Sequence, residues 1–208
     1  MRCNESGFSL IELAIAVVVL SVALVATTDL VSTSSDALGT GLTAGRLEAK
    51  AGALLDRIER ELIQAGAETF SPAVPAGAAG VTYRQAFDYQ DDQVSWGGPV
   101  RIEWRPDETS DGADNDSDGL VDEACVVLIR NPGLVSEQET LLARGVRSFL
   151  QGEFPNGADD NGNGLVDERG LCFAMEGEAL VIRLSLEGRD SKGRLIARTA
   201  TTAVRLRN

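Results

Sequence analysis

Two acidic segments of this 208-residue chain carry residue types at spacings suited to chemistry. Residues 111–123, DGADNDSDGLVDE, and residues 156–168, NGADDNGNGLVDE, align without a gap at an offset of 45. Side-chain oxygens recur at alternate positions, Asp114, Asp116 and Asp118 in the first and Asp159, Asn161 and Asn163 in the second, and each run closes on a Gly. Donors at positions 1, 3 and 5, a turn-forming Gly at 6 and a backbone carbonyl at 7 wrap a hard cation. Leu120 and Leu165 stand at position 7, and Asp122 and Asp167 at position 9, where a direct or water-bridged ligand is expected. The pattern predicts calcium, up to two ions, bound more tightly by the first loop because Asn161 and Asn163 are neutral where Asp116 and Asp118 are charged. The alternative is a pair of solvated Asp/Asn/Gly turns.

The loops depart from a complete calcium loop at position 12, where a bidentate Glu is required and this chain has Cys125 and Gly170. They resemble thrombospondin-type or dockerin-type calcium segments only in their front halves, so Glu123 and Glu168, or a residue elsewhere, must complete the shell. The formal net charge of −13 is local to these segments: residues 107–123 hold eight acidic side chains, residues 153–168 hold five, and neither holds a Lys or Arg. Elsewhere acids and bases balance. The ions are therefore expected to relieve repulsion and order the loops. With no His in the chain, His-based nucleophile systems and the usual zinc sites are excluded. No nucleophile–base set or phosphate loop accompanies the carboxylates, so the chain is expected not to be an enzyme. An acidic chain lacks the counterion-releasing surface that nucleic acid needs, so no nucleic-acid partner is expected.

The elements that must hold these loops begin with an apolar run. Phe8 to Thr27 is apolar or small at nearly every position, and twenty helical residues cross about 30 Å of hydrocarbon. Glu12 lies within this run, where an acidic side chain costs about 2.5–3.5 kcal/mol to insert. A partner for it is expected.

Gly7 followed by Phe8, Ser9, Leu10, Ile11 and Glu12 resembles the prepilin signature of type IV pilins and type II secretion pseudopilins. In that family a prepilin peptidase cuts after the Gly and methylates the new N-terminus, here Phe8. The resemblance implies that the Phe8 amine and the Glu12 carboxylate of neighbouring subunits neutralise one another and set axial register. It also implies an inner-membrane, single-pass protein with a periplasmic head, later built into a fibre with other major and minor pilins through its N-terminal helix. Cys3 falls in the leader, leaving Cys125 and Cys172 in an oxidising compartment. One Cys125–Cys172 bridge is expected, the alternative being two free buried thiols.

Helical spacing continues beyond the membrane run, with Leu47, Ala51, Leu54, Leu55, Ile58, Leu62 and Ala65 forming one apolar stripe. Between them Gly39, Gly41 and Gly45 predict a bend or a melted stretch over residues 32–45. The helix is expected to end near Gly66. Strands are predicted at 81–83, 100–104, 126–130, 145–149, 179–186 and 195–206, the last two joined by a hairpin at 188–193. Ile182, Leu184 and Leu186 alternate with Arg183, Ser185 and Glu187, as in a sheet with one wet face.

The expected class is α+β: a type IV pilin fold with a long N-terminal helix on an antiparallel sheet. The expected divisions are leader 1–7, transmembrane part 8–28, stalk and amphipathic helix 29–66, and β-rich head 67–208 with acidic loops at 111–125 and 156–172. Residues 57–66, 145–149 and 199–208 resemble PilW/PulJ-type minor pilins. The function implied is a minor pilin that helps to initiate assembly of a type IV pilus. The alternatives are a minor pseudopilin of a type II secretion system and a calcium-dependent adhesin or DNA-uptake module on the fibre.

Overall fold

A computed structural model of the chain describes residues 9–90 and 93–206. Helix α1 spans Leu10–Leu62 and is followed by a short 3-10 turn at Ala67–Thr69. Eight strands follow: β1 Ala76–Ala78, β2 Gly80–Gln90, β3 Gln93–Pro106, β4 Ala124–Arg130, β5 Gln138–Val146, β6 Leu171–Glu176, β7 Ala179–Arg189 and β8 Leu195–Arg205. This is the α+β architecture expected, with one helix packed on an antiparallel sheet.

The chain divides into two compact units, one ending at Leu42 and one beginning at Thr43. In the first, Leu10, Ile11, Leu13, Ile15, Val17, Val18, Val19 and Leu20 are all exposed. Helical side chains that are apolar on every side require an apolar solvent, and this stretch is long and apolar enough to cross a membrane. Residues 32–45 are helical throughout, so the stretch is not melted as the glycines had suggested it could be. Thr33 and Thr40 return their hydroxyls to the carbonyls of Asp29 and Asp36 one turn back, so these polar side chains bond within the helix.

In the second unit the apolar stripe is buried as the spacing requires: Leu47, Ala51, Leu54, Leu55, Ile58 and Leu62 line one face of α1. They pack with Val81, Tyr83, Val100, Ile102, Val126, Leu128, Leu171, Phe173 and the inward residues of β7. Each fully buried Leu or Ile contributes roughly 1.5–3 kcal/mol.

The sheet runs β1-β6-β7-β5-β4-β3-β2, with β8 along the other edge of β7. Two meanders, β2 to β5 and β6 to β8, meet where Val146 pairs with Leu186, and Arg147 N–H extends the join by donating to the Ser185 carbonyl at 3.0 Å. The 190–194 turn joins β7 and β8, consistent with the expected hairpin. The expected strand at 145–149 ends instead at Val146, and Phe149 makes only an isolated bridge to Arg169. Gly145, at φ +70, sits beside the Glu187 carbonyl and turns the chain out of the ladder.

The face of β7 expected to be wet is covered. Ser185 is fully buried, accepting from Gln151 N–H at 2.9 Å and sharing a hydrogen bond with Thr199 Oγ1. Glu187 is also buried, 3.2 Å from Arg147, and burial pushes its carboxyl up against the pull of Arg147 and Arg189. The connection between β5 and β6 crosses this face, so Ser185 and Glu187 meet protein polar groups in place of solvent.

The expected Cys125–Cys172 disulfide is absent: both thiols are free and buried. Cys125 lies on β4 and Cys172 on β6, with β5 and β7 between them in the sheet. Cys172 is opposite Arg183 and Val146 opposite Leu186 on the same edge of β7, about 10 Å apart along that strand at ~3.3 Å per residue, and Cys125 lies one strand further on, opposite Arg144, beyond the ~7 Å limit for bridged Cα atoms. Burial, reinforced by Glu168 and Glu176 against the pull of Arg183, pushes the Cys172 thiol up to about 12, and burial raises Cys125 as well. Alkylation of the folded protein at pH 8 is therefore expected to leave both cysteines unmodified, with both labelled after denaturation and no effect of reductant on the melting temperature.

Candidate functional site

Both acidic segments are insertions between strands, the first joining β3 to β4 and the second joining β5 to β6. A chain with so few apolar residues cannot close on a core, so its own backbone must be satisfied by its own carboxylates. In the first loop Asp114 accepts from Ser117 N–H (2.6 Å) and Gly119 N–H (3.0 Å), Asp116 from Asp118 N–H (3.0 Å), and Asp118 from Leu120 N–H (2.8 Å). In the second, Asp159 accepts from Gly162 N–H (2.6 Å) and Gly164 N–H (2.7 Å), Asn161 from Asn163 N–H (3.0 Å), and Asn163 from Leu165 N–H (2.9 Å). Ser117 and Gly162, Gly119 and Gly164, and Asp122 and Asp167 adopt matching positive φ values. The sequence repeat is thus a conformational repeat that shares these bonds and these turns.

The loop brings Asp114, Asp116 and Asp118 together, with one oxygen of each within 4.8 Å of the others. The corresponding residues of the second loop are held by the same backbone pattern, two of them as neutral amides. Leu120 and Leu165 stand where position 7 was expected, Leu120 buried and Leu165 half-buried. Asp122 and Asp167, expected at position 9, brace the loop entrance. Asp122 Oδ1 accepts from Asp111 and Gly112 N–H at 3.0 and 3.1 Å, and Asp167 Oδ1 from Asn156 and Gly157 N–H at 3.1 and 3.2 Å.

Two further acids belong to the pattern and were not singled out in the sequence. Glu108 Oε1 accepts from Asn115 and Asp116 N–H (2.7 and 2.8 Å), and its Oε2 from Asp122 N–H (3.3 Å). Glu153 repeats this with Asn161 and Asp167 N–H at 2.9 and 3.2 Å. The signal that could have found them is the same offset of 45, which carries Glu108 onto Glu153 outside the aligned segments.

Glu123 and Glu168, each immediately after the aspartate that braces its loop, are 1% and 2% exposed. Among the described residues Oε2 of each has no hydrogen-bond partner. Burial, with Asp118, Glu108 and Asp116 nearby, pushes the Glu123 carboxyl up to about 7. In the second loop Asn163 Nδ2 donates to Glu168 Oε1 at 2.6 Å, a bond that Asp118 cannot make to Glu123. The loops also touch each other, since Ser148 Oγ donates to the Asp122 carbonyl. The Arg169 guanidinium is stacked between Trp104 (4.7 Å) and Phe149 (4.5 Å), fixing the exit of the second loop beside the end of β3.

At the other end of the chain Glu12 has a local partner. Its Oε2 accepts from Ser9 N–H at 2.9 Å while Ser9 Oγ accepts from Glu12 N–H at 3.3 Å, the reciprocal bonds of a capping box. Glu12 is exposed on α1. Gly7 and Phe8, the expected cleavage and methylation residues, lie outside the described residues, as does Cys3.

Residues 2–28 match the prokaryotic N-terminal methylation motif, a mark of type IV pilin-like proteins. That motif covers Gly7, Phe8 and Glu12 together with the apolar start of α1, and it fits a membrane-anchored protein processed by a prepilin peptidase. No curated protein and no solved structure matches the chain.

Asp122→Ala removes the acceptor for two loop N–H groups and places a Cβ-bearing residue without a side-chain acceptor at φ 53. Urea unfolding is expected to show a loss of about 1–2 kcal/mol relative to the parent, and Asp167→Ala a similar loss.

Proposed function

We propose that this chain is a minor pilin of a type IV pilus, inserted in the inner membrane, cleaved after Gly7, methylated at Phe8 and incorporated through α1 to help initiate the fibre. The observation that carries this reading is the methylation motif over residues 2–28, coincident with a helix apolar on every side from Leu10 onward. What the chain's own residues do follows from their chemistry. Before assembly the capping box gives one Glu12 oxygen a donor and the Ser9 N–H an acceptor, leaving the negative charge itself unneutralised. In the fibre, the Phe8 amine of an adjacent subunit adds an ion pair that neutralises the Glu12 carboxylate. The stripe from Leu47 to Leu62 holds the sheet on the last turns of the helix.

In this reading the acidic loops bind calcium, which screens clustered carboxylates and stiffens the part of the head most dependent on its own polar groups. Support comes from the alternate oxygen donors at Asp114, Asp116 and Asp118 and their repetition at Asp159, Asn161 and Asn163.

Intact mass and terminal sequencing of membrane-purified protein are the test of processing. The expected product begins at Phe8 and carries one added methyl group, whereas a chain retaining residues 1–7 would refute the proposal. Glu12→Gln is expected to be cleaved normally yet to fall at least about ten-fold in sheared fibres, because the amide cannot neutralise an amine.

A further inference from the structure

The calcium reading leaves each ion's shell incomplete, because neither loop has a Glu at position 12. We infer that each shell is closed by two glutamates that flank the loop in sequence: Glu108 and Glu123 join Asp114, Asp116 and Asp118 around one calcium-sized cation, and Glu153 and Glu168 join Asp159, Asn161 and Asn163 around a second. This inference rests on the calcium reading and deepens it.

Three observations converge. Glu123 and Glu168 are almost wholly buried, and among the described residues Oε2 of each lacks any hydrogen-bond partner. A buried carboxylate oxygen without a donor is costly, and placing other carboxylates beside it raises that cost unless a cation occupies the gap. The geometry supplies the gap: one oxygen each of Glu108, Asp116 and Glu123 lies within 4.8 Å of the other two, and Asp116 also belongs to the Asp114–Asp116–Asp118 cluster. Oxygens bound to one calcium ion at 2.3–2.6 Å are at most about 5 Å apart, so each cluster by itself has the span of a calcium site, and Asp116 links the two.

The third observation is the repetition. Glu153 takes in the second loop the counterparts of two of the three backbone donors that Glu108 takes in the first, and Glu168 repeats both the burial and the orphaned oxygen of Glu123. Protein cations do not fill the role. Asp116 lies 3.8 Å from Arg144, and among the described residues no other member of either set forms an ion pair. Lys50, the nearby amine that Asp118 influences, donates to the Arg144 carbonyl.

Five carboxylates in the first set and three in the second, with two amides, make the first centre the tighter. So many protein oxygens favour calcium over magnesium, which holds on to several of its waters.

The test is calorimetric titration of the full chain in detergent, stripped with chelator, using calcium chloride. Wild type is expected to show two binding events. Glu108→Gln and Glu123→Gln are each expected to weaken the tighter event at least about ten-fold and leave the other, with Glu153→Gln and Glu168→Gln doing the converse. Glu123 Oε2 makes no hydrogen bond among the described residues, so Glu123→Gln separates ligand loss from loop loosening, and an unchanged melting temperature in chelator verifies this. Wild-type binding in all four variants, with loss of one event in Asp116→Asn and in Asp159→Asn, would overturn the glutamate assignment and leave the calcium reading standing. Absence of binding to wild type would overturn both.

Discussion

The structure depends on one apolar contact, the stripe of α1 from Leu47 to Leu62 against the inward faces of the sheet. Ala51, Ile58 and Leu62 are completely buried in it, as are Tyr83, Ile102, Phe173 and the inward residues of β7. The stripe is six residues wide in sequence pattern and gathers strands from both meanders, which otherwise meet through the Val146–Leu186 pair and a few backbone bonds. Strands that share one helix are fixed relative to one another, so the ends of β3, β4, β5 and β6 become rigid posts between which long polar insertions can be hung. The same helix, in its earlier turns, has no stripe. Its side chains are apolar on every side and exposed in the chain alone. One helix is therefore written for two solvents, lipid first and a protein core afterwards.

The acidic insertions show how a segment with almost no core can still hold a conformation. Most backbone N–H groups of the two loops are taken by a nearby carboxylate or amide, and the residues at positive φ are Gly, Ser or Asp, for which a left-handed turn costs least in combination with such bonds. This local solution concentrates negative charge. Burying Glu123 beside Asp118, Glu108 and Asp116 raises its proton affinity, the electrostatic signature of a site short of positive charge. The second loop relieves part of the same strain by replacing two acids with amides, one of which donates to Glu168.

Much of this was legible in the residue pattern. The 3.6-residue spacing located the buried positions of the helix stripe from Leu47 to Leu62, missing only Ala44 one turn earlier, because a single face against a sheet leaves a regular imprint. The repeat at an offset of 45 identified both loops, and its alternation of oxygens was enough to place the turns. Other features left no local imprint. Six of the nine β5 residues are not buried, so the strand carries no apolar run to betray it, and β6 is a short apolar stretch directly after an acidic loop. The Ser9–Glu12 capping box was present in the sequence but was masked by the stronger reading of Glu12 as an assembly residue. The cysteine pairing failed because strand order in the sheet is not chain order: β7 pairs with β6 on part of one edge and meets β5 beyond it, which separates Cys172 from Cys125. Glu108 and Glu153 were hidden by the dissimilar residues that stand between them and the aligned segments.

The central claim, that α1 serves lipid along its first turns and a protein core along its last, is tested most directly by collision accessibility of single nitroxide labels placed along the helix of the full chain in bilayers. The account predicts high oxygen and low nickel accessibility at every position from 13 to 25, without periodicity, and then a helical oscillation with minima at 47, 51, 54, 58 and 62. Water accessibility at positions 13–25, or the absence of any oscillation from 47 to 62, would contradict it.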